Sequence, residues 1–263
     1  MNHWIKGLSS YAADVDGLFW LVTALIGFWF IVAQAVVFYF SFRYRRKNNP
    51  KAAYITGKSW REMGWVMGPV ILVVMCDGWI DVATASVWKN IKEDLPAADH
   101  KVDVTGQQWA WTFRHEGPDG KLDTPDDIVT VDDLHLVVNK TVHLNLQSKD
   151  VLHSFCIPVM RFKQDTIPGR SITGWVKPTA TGKYDVQCTQ ICGIGHGYMA
   201  ARVTVQTQEE YDAWMKAQGA SAVMPPAASA APTGAGAPSA APAAAPTPAP
   251  APATPAPAPA PQK

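Results

Sequence analysis

Cys188-Thr-Gln-Ile-Cys192-Gly-Ile-Gly-His196-Gly-Tyr-Met199 places two thiols, an imidazole and a thioether within twelve residues, between strand-like runs at 183–188 and 200–205. Such a string is a loop joining two strands and carrying soft ligands. Thiolate and thioether sulfurs together with imidazole select copper. One cysteine with two histidines and a weak methionine would make a mononuclear blue-copper site, but this loop has two cysteines. Two thiolates can bridge two ions, and each ion then needs its own imidazole, so a second histidine has to come from elsewhere. His153, in Asp150-Val-Leu-His153-Ser-Phe-Cys-Ile-Pro158, stands where a strand enters a turn and is the best candidate. Its alternative role is that of a satisfied core histidine. His135 and His143 fall inside strand-like runs, and His3, His100 and His115 have no thiol nearby in sequence.

Working outward, short β-rich runs at 102–113, 128–138, 141–147 and 171–177 join the two that flank the loop, with Gly, Pro, Asn and Asp clusters between them. Many short strands with turn signals predict a Greek-key β-sandwich of about 100 residues. Cys76 and Cys156 are far from the Cys188/Cys192 pair, which excludes a disulfide framework. No haem-attachment string, dinucleotide fingerprint, phosphate-binding loop or internal repeat is present. A net charge of +1 argues against a nucleic-acid partner.

Residues 18–42 carry no charged side chain, and 25 residues of helix exceed the roughly 30 Å hydrocarbon layer. This length disfavours a signal peptide. Arg43, Arg45, Arg46, Lys47, Lys51, Lys58 and Arg61 follow, which assigns loop 43–61 to the cytoplasm and the N-terminus to the outside. A second apolar stretch, 63–87, is interrupted by glycines, Pro69, Asp77 and Asp81 and is expected to return through the membrane. Asp77 and Asp81 share one helical face, which either meets a larger membrane partner or lies at the outer interface. At the other end, residues 220–263 hold 13 of the 21 prolines, nearly all separated by alanine. That composition predicts a solvated, partly polyproline-II tail. The chain thus divides into a transmembrane hairpin (1–94), a sandwich (95–219) and a tail (220–263).

Five strings in order resemble cytochrome c oxidase subunit II: the two-helix hairpin, Gly106-Gln-Gln-Trp109-Ala-Trp111, Asp150-Val-Leu-His153-Ser, Lys163-Gln-Asp165-Thr-Ile-Pro-Gly-Arg170, and the loop 188–199. The resemblance implies an α+β membrane protein whose sandwich is cupredoxin-like and holds a dinuclear copper centre. It implies that Cys188 and Cys192 bridge the ions, that His153 and His196 bind one each, and that Met199 and the Gln190 carbonyl are weak axial ligands. It further implies an electron-transfer subunit in the bacterial inner membrane with a periplasmic copper domain. Cytochrome c would be the donor, and a haem-bearing catalytic subunit I, with other oxidase subunits, the partner that reduces oxygen and translocates protons. A copper chaperone would need a thioredoxin-like pattern, a quinol oxidase subunit would lack the copper ligands, and nitrous oxide reductase would need a far longer chain.

By the same resemblance Trp109 is the electron-entry aromatic, with Ala110 where an aromatic is common. Alternation along a single strand would put Trp109 and Trp111 on one face. Glu62 matches a glutamate near the mouth of a proton path. Gln190 replaces the usual glutamate, so magnesium is expected to be weak or absent, since that hard cation favours carboxylates. Finally, residues 116–133 carry seven acids against Lys121. Asp119, Asp123, Asp126 and Asp127 there resemble a calcium loop without matching the EF-hand, and steering of a basic cytochrome c is the alternative use.

Overall fold

The computed structural model describes residues 6–52 and 54–222. The expected tail from 223 onward, and His3, lie outside the described residues. Helix α1 spans Ala12–Arg43 and α2 spans Trp60–Trp88, both longer at each end than the apolar runs alone suggest. At the start of α2, Ser59 accepts from the Glu62 N–H while the Glu62 carboxylate turns back to the Ser59 N–H, satisfying donors that a helix end otherwise strands. A π-helical turn, Lys89–Glu93, prolongs α2 toward the sandwich. Both helices are long and apolar enough to cross a membrane. Asp77 and Asp81 are exposed on α2.

Ten strands follow: β1 His100–Gln107, β2 Ala110–His115, β3 Ile128–Val131, β4 Asp133–Val137, β5 Val142–Ser148, β6 His153–Ile157, β7 Phe162–Thr166, β8 Ile172–Val176, β9 Gly182–Cys188 and β10 Ala200–Gln206. They form two five-stranded sheets, β3-β2-β1-β5-β8 and β4-β10-β9-β6-β7, with β1/β5 and β4/β10 parallel. Val104, Trp111, Phe113, Leu144 and Leu146 of the first sheet meet Leu134, Phe155, Ile157, Val186 and Val203 of the second. The result is the cupredoxin-like Greek-key sandwich expected.

Three local readings need correction. The run 102–113 is two strands, because the chain turns at Gln108 and Trp109 and pairs Gly106 with Trp111. Trp109 and Trp111 therefore do not share a strand face. The run 128–138 is broken at Asp132, whose φ of 55° ends β3 and sends β4 to the other sheet. There Asp132 accepts from the Trp111 N–H through its carboxylate and donates its own N–H to the Trp111 carbonyl. Third, a helix α3, Gln208–Ala222, crosses the expected boundary at 219 and lays buried Tyr211 and half-buried Trp214 on the sandwich.

The segment before α1 is tied to the sandwich as well. Leu8 N–H donates to Val159, Ser10 N–H to Lys177, and the Ser9 hydroxyl to the Met160 carbonyl at 2.6 Å. Trp175 of β8 packs edge-on against Tyr11 and donates its indole N–H to Ile91 of the π-turn. Asp16 in the first turns of α1 takes two hydrogen bonds from Arg161, at 2.6 and 3.1 Å. The start of α1 and the end of α2 thus meet the same domain, which puts both on one side of any membrane the hairpin crosses.

Candidate metal centre

Strand order assembles the site. β9 ends at Cys188 and β10 begins at Ala200, and the Cys188 N–H donates to the Met199 carbonyl, closing the base of the loop between them. β6 runs antiparallel beside β9 with Phe155 opposite Cys188, so His153 at the start of β6 reaches the loop's first turn. The Thr189 N–H, bonded to the Ser154 carbonyl, fixes that approach.

The sulfurs of Cys188 and Cys192 lie 3.8 Å apart. Nδ1 of His153 is 4.0 Å from Cys188 Sγ, and Nδ1 of His196 is 3.6 Å from Cys192 Sγ. Met199 Sδ stands 3.7 Å from Cys192 Sγ, and the Gln190 carbonyl 3.3 Å from Cys188 Sγ. Cys188, Cys192, His153 and Met199 are buried, while His196 is half-buried and the Gln190 side chain is exposed. The six donors named from sequence thus come together. Among the described residues, the one group of three or more His, Cys, Asp or Glu donors all within 4.8 Å of one another is His153, Cys188 and Cys192. His196 falls outside it. The donor set is soft and fits copper, and its imidazoles stand beside different sulfurs rather than converging on one point. Burial, and next the neighbouring Cys188 sulfur, push the Cys192 thiol up to about 11.

Two residues that the sequence reading quoted without a role hold this arrangement. Asp150 Oδ1 bonds Nε2 of His153 at 2.8 Å, and its Oδ2 accepts from the Gln108 N–H at 2.7 Å. Burial opposes ionisation of Asp150, but the hydrogen bonds from His153, Gln108 and Val151 outweigh it and hold the carboxyl below its usual range. With Nε2 committed to Asp150, Nδ1 is the nitrogen left facing the sulfurs. Gln108 donates through its side-chain amide to the Cys192 carbonyl at 2.8 Å, tying the β1–β2 turn to the loop. A histidine three residues after an aspartate at a strand start is a signal that could have identified Asp150.

Trp109 is partly exposed, at 39%, and its indole lies directly on the loop backbone: a Cβ at Gly195 would come within 2.3 Å of the ring. Gly106 serves the same purpose beneath His153, since a Cβ there would meet that imidazole at 3.0 Å and Trp111 at 3.1 Å. Trp111 is fully buried, edge-on to His153 and Phe155.

The remaining candidates lie apart. Glu62 caps α2 and accepts from the Thr56 hydroxyl at 3.2 Å. In the acidic loop, Asp119 accepts from the Lys121 N–H, Asp126 from the Asp119 N–H and Asp127 from the Asp123 N–H, while Arg114 pairs with Asp123 and Asp127. These carboxylates are engaged by the loop's own backbone and by a guanidinium. Cys156 on β6 and Cys76 on α2 are half-buried and outside the site.

The family model for cytochrome c oxidase subunit II, periplasmic domain, matches residues 100–206, the span from β1 to β10. An alternative cytochrome c oxidase subunit 2 from Bradyrhizobium diazoefficiens is 33% identical over 227 residues, covering 74% of this chain and 79% of that one. A probable cytochrome c oxidase subunit 2 from Rickettsia bellii is 31% identical over 213 residues, covering 76% of each. The solved periplasmic domain of cytochrome oxidase subunit II from Bradyrhizobium japonicum is 26% identical, with a TM-score of 0.44 over 49% of this chain and 99% of that one. With a relative above 30% identity aligned over most of its length, and the hairpin, sandwich and sulfur loop in place, the chain belongs to the cytochrome c oxidase subunit II family.

Proposed function

We propose that this chain is the subunit through which electrons enter a terminal oxidase of the bacterial inner membrane, by way of two copper ions held in the 188–199 loop. Family membership makes it an electron-transfer subunit of an oxidase and implies copper. The observation that carries the dinuclear reading is the sulfur pair at 3.8 Å with one imidazole beside each sulfur. Cys188 and Cys192 would hold both ions, His153 and His196 one each, and Met199 and the Gln190 carbonyl would complete the set. Bound copper would supply one-electron chemistry shared across the two sulfurs.

The protein's part is to keep this set rigid and dry. Asp150 holds His153 in one tautomer, and Gln108 braces the loop through the Cys192 carbonyl. Trp109, exposed on one side and resting on Gly195 on the other, joins the surface to the centre and is the entry point for electrons from cytochrome c. The acidic 116–133 loop would attract a basic donor of this kind. Electrons then pass to haem in a catalytic subunit, where oxygen is reduced to water and protons are translocated, and Glu62 would serve the proton path. Gln190 presents an exposed neutral amide, so magnesium is not expected at this border.

The test is spectroscopic. The full chain, purified within its complex, should contain two coppers in this subunit and show a mixed-valence signal with one unpaired electron coupled equally to both nuclei. A single-copper signal, or none, would refute the reading.

A further inference from the structure

The cytoplasm-assigned connection between α1 and α2 carries Arg43, Arg45, Arg46, Lys47, Lys51, Lys58 and Arg61 and no acidic residue. All seven side chains are exposed, and among the described residues none makes an ion pair. The nearest carboxylate, Glu62, is committed to Thr56 and the Ser59 N–H at the start of α2. Seven cations therefore stand within a short reach of two helix ends without an internal counter-charge.

The surrounding side chains mark the depth at which they stand. Tyr44, Tyr54, Trp60 and Trp65 are exposed at 57%, 92%, 89% and 85%. Amphipathic rings of this kind settle at the headgroup level of a bilayer, with the ring among glycerol and acyl carbons and the polar edge in water. Arg43 lies over the Tyr44 ring at 5.3 Å, so this cation is already placed beside an interfacial aromatic. A solvated basic loop needs no such aromatics.

We propose that the 43–61 loop binds anionic phospholipid headgroups of the leaflet in which it sits, through phosphate contacts from its arginines and lysines. The partner is a lipid phosphodiester with net negative charge, such as phosphatidylglycerol. Guanidinium groups match its oxygens in pairs, and the aromatics hold the loop at headgroup depth. This role rests on the hairpin and is independent of the metal-centre reading.

The membrane complex containing the full chain, placed in nanodiscs with increasing phosphatidylglycerol in phosphatidylcholine, should retain the anionic lipid preferentially when released for native mass spectrometry. Changing Arg45, Arg46 and Lys47 together to Gln should cut that preference by roughly five-fold per cation, on the order of a hundred-fold in all. Arg45→Lys with Arg46→Lys should keep most of it. Arg43, Lys51, Lys58 and Arg61 remain to preserve orientation, which protease protection of the sandwich checks. Equal retention of the two lipids by the unaltered complex overturns the proposal whatever the variants do. Displacement of the lipid by inorganic phosphate at matched ionic strength overturns it as well, because that marks a general anion site.

Discussion

Asp150 illustrates how much of a metal centre lies in residues that are not ligands. Its carboxylate holds both the His153 ring and the backbone of the Gln108–Trp109 turn, so one side chain orients a candidate ligand and braces the turn that carries Trp109. Asp150→Asn should retain the fold and lower copper affinity by about 10–100-fold, read by competition with a chelator. The two tryptophans should separate by role. Trp111→Ala opens a cavity beneath His153 and should cost about 3–5 kcal/mol in a thermal or denaturant melt. Trp109→Ala removes a half-exposed ring and should leave copper content unchanged while slowing reduction by cytochrome c in stopped flow. Equal entry rates for the altered and unaltered proteins would remove Trp109 from the path. The candidate ligands were legible because soft donors at that spacing have few other uses. Asp150 was legible only through its spacing from His153, and Gln108 not at all, because its role depends on where a turn and a strand register bring it.

Elements were legible where hydrophobic pattern alone decides them. The apolar runs announced both helices, the second despite Asp77 and Asp81, and short β-rich runs announced most strands. The pattern failed where a polar residue redirected the chain without interrupting β-like composition: at the Gln108–Trp109 turn, and at Asp132, whose left-handed backbone splits one run between two sheets. It also missed α3, whose alanines and charged residues carry a weak apolar stripe. Yet α3 closes one end of the sandwich. Tyr211 is buried, and the Trp214 ring stacks on His135 at 4.0 Å and 12°. Deleting residues 208–263 should therefore lower stability by about 3 kcal/mol, from loss of the buried Tyr211 and half-buried Trp214 surfaces. Deleting only 223–263, whose one branched and one long apolar side chain are Val223 and Met224, should leave the melting temperature within error. If both deletions melt alike, α3 is not part of the folded unit.

At the scale of the whole molecule, the end of the sandwich beneath α3 contains a titratable group that links folding to pH. His115 is fully buried, neither ring nitrogen has a hydrogen-bond partner among the described residues, and it lies edge-on to Trp214 with His135 beyond. Burial, reinforced by His135 and His100, pushes its pKa down to about 3. An unfolded chain binds a proton at this imidazole below its usual value of 6.5, whereas the folded chain does not until about pH 3. The unfolded state therefore holds more protons across that window, and stability falls as pH falls from 6.5 toward 3, by up to about 1.4 kcal/mol per pH unit. Above pH 6.5 the contribution is complete. Carboxyls held low, such as Asp99 and Asp150, add to the acid loss, whereas Glu116, raised chiefly by burial, acts in the opposite sense as pH rises past its usual value. Because these groups are shared, the informative quantity is the difference between the native chain and His115→Leu. The variant keeps an apolar side chain in the space and removes the buried imidazole. Its stability relative to the native chain should be nearly constant above pH 7 and should improve steadily between pH 6 and 4, measured by denaturant melts of the full chain in detergent. A difference that stays flat across that range would mean His115 is protonated in the folded protein, with a partner for the charge.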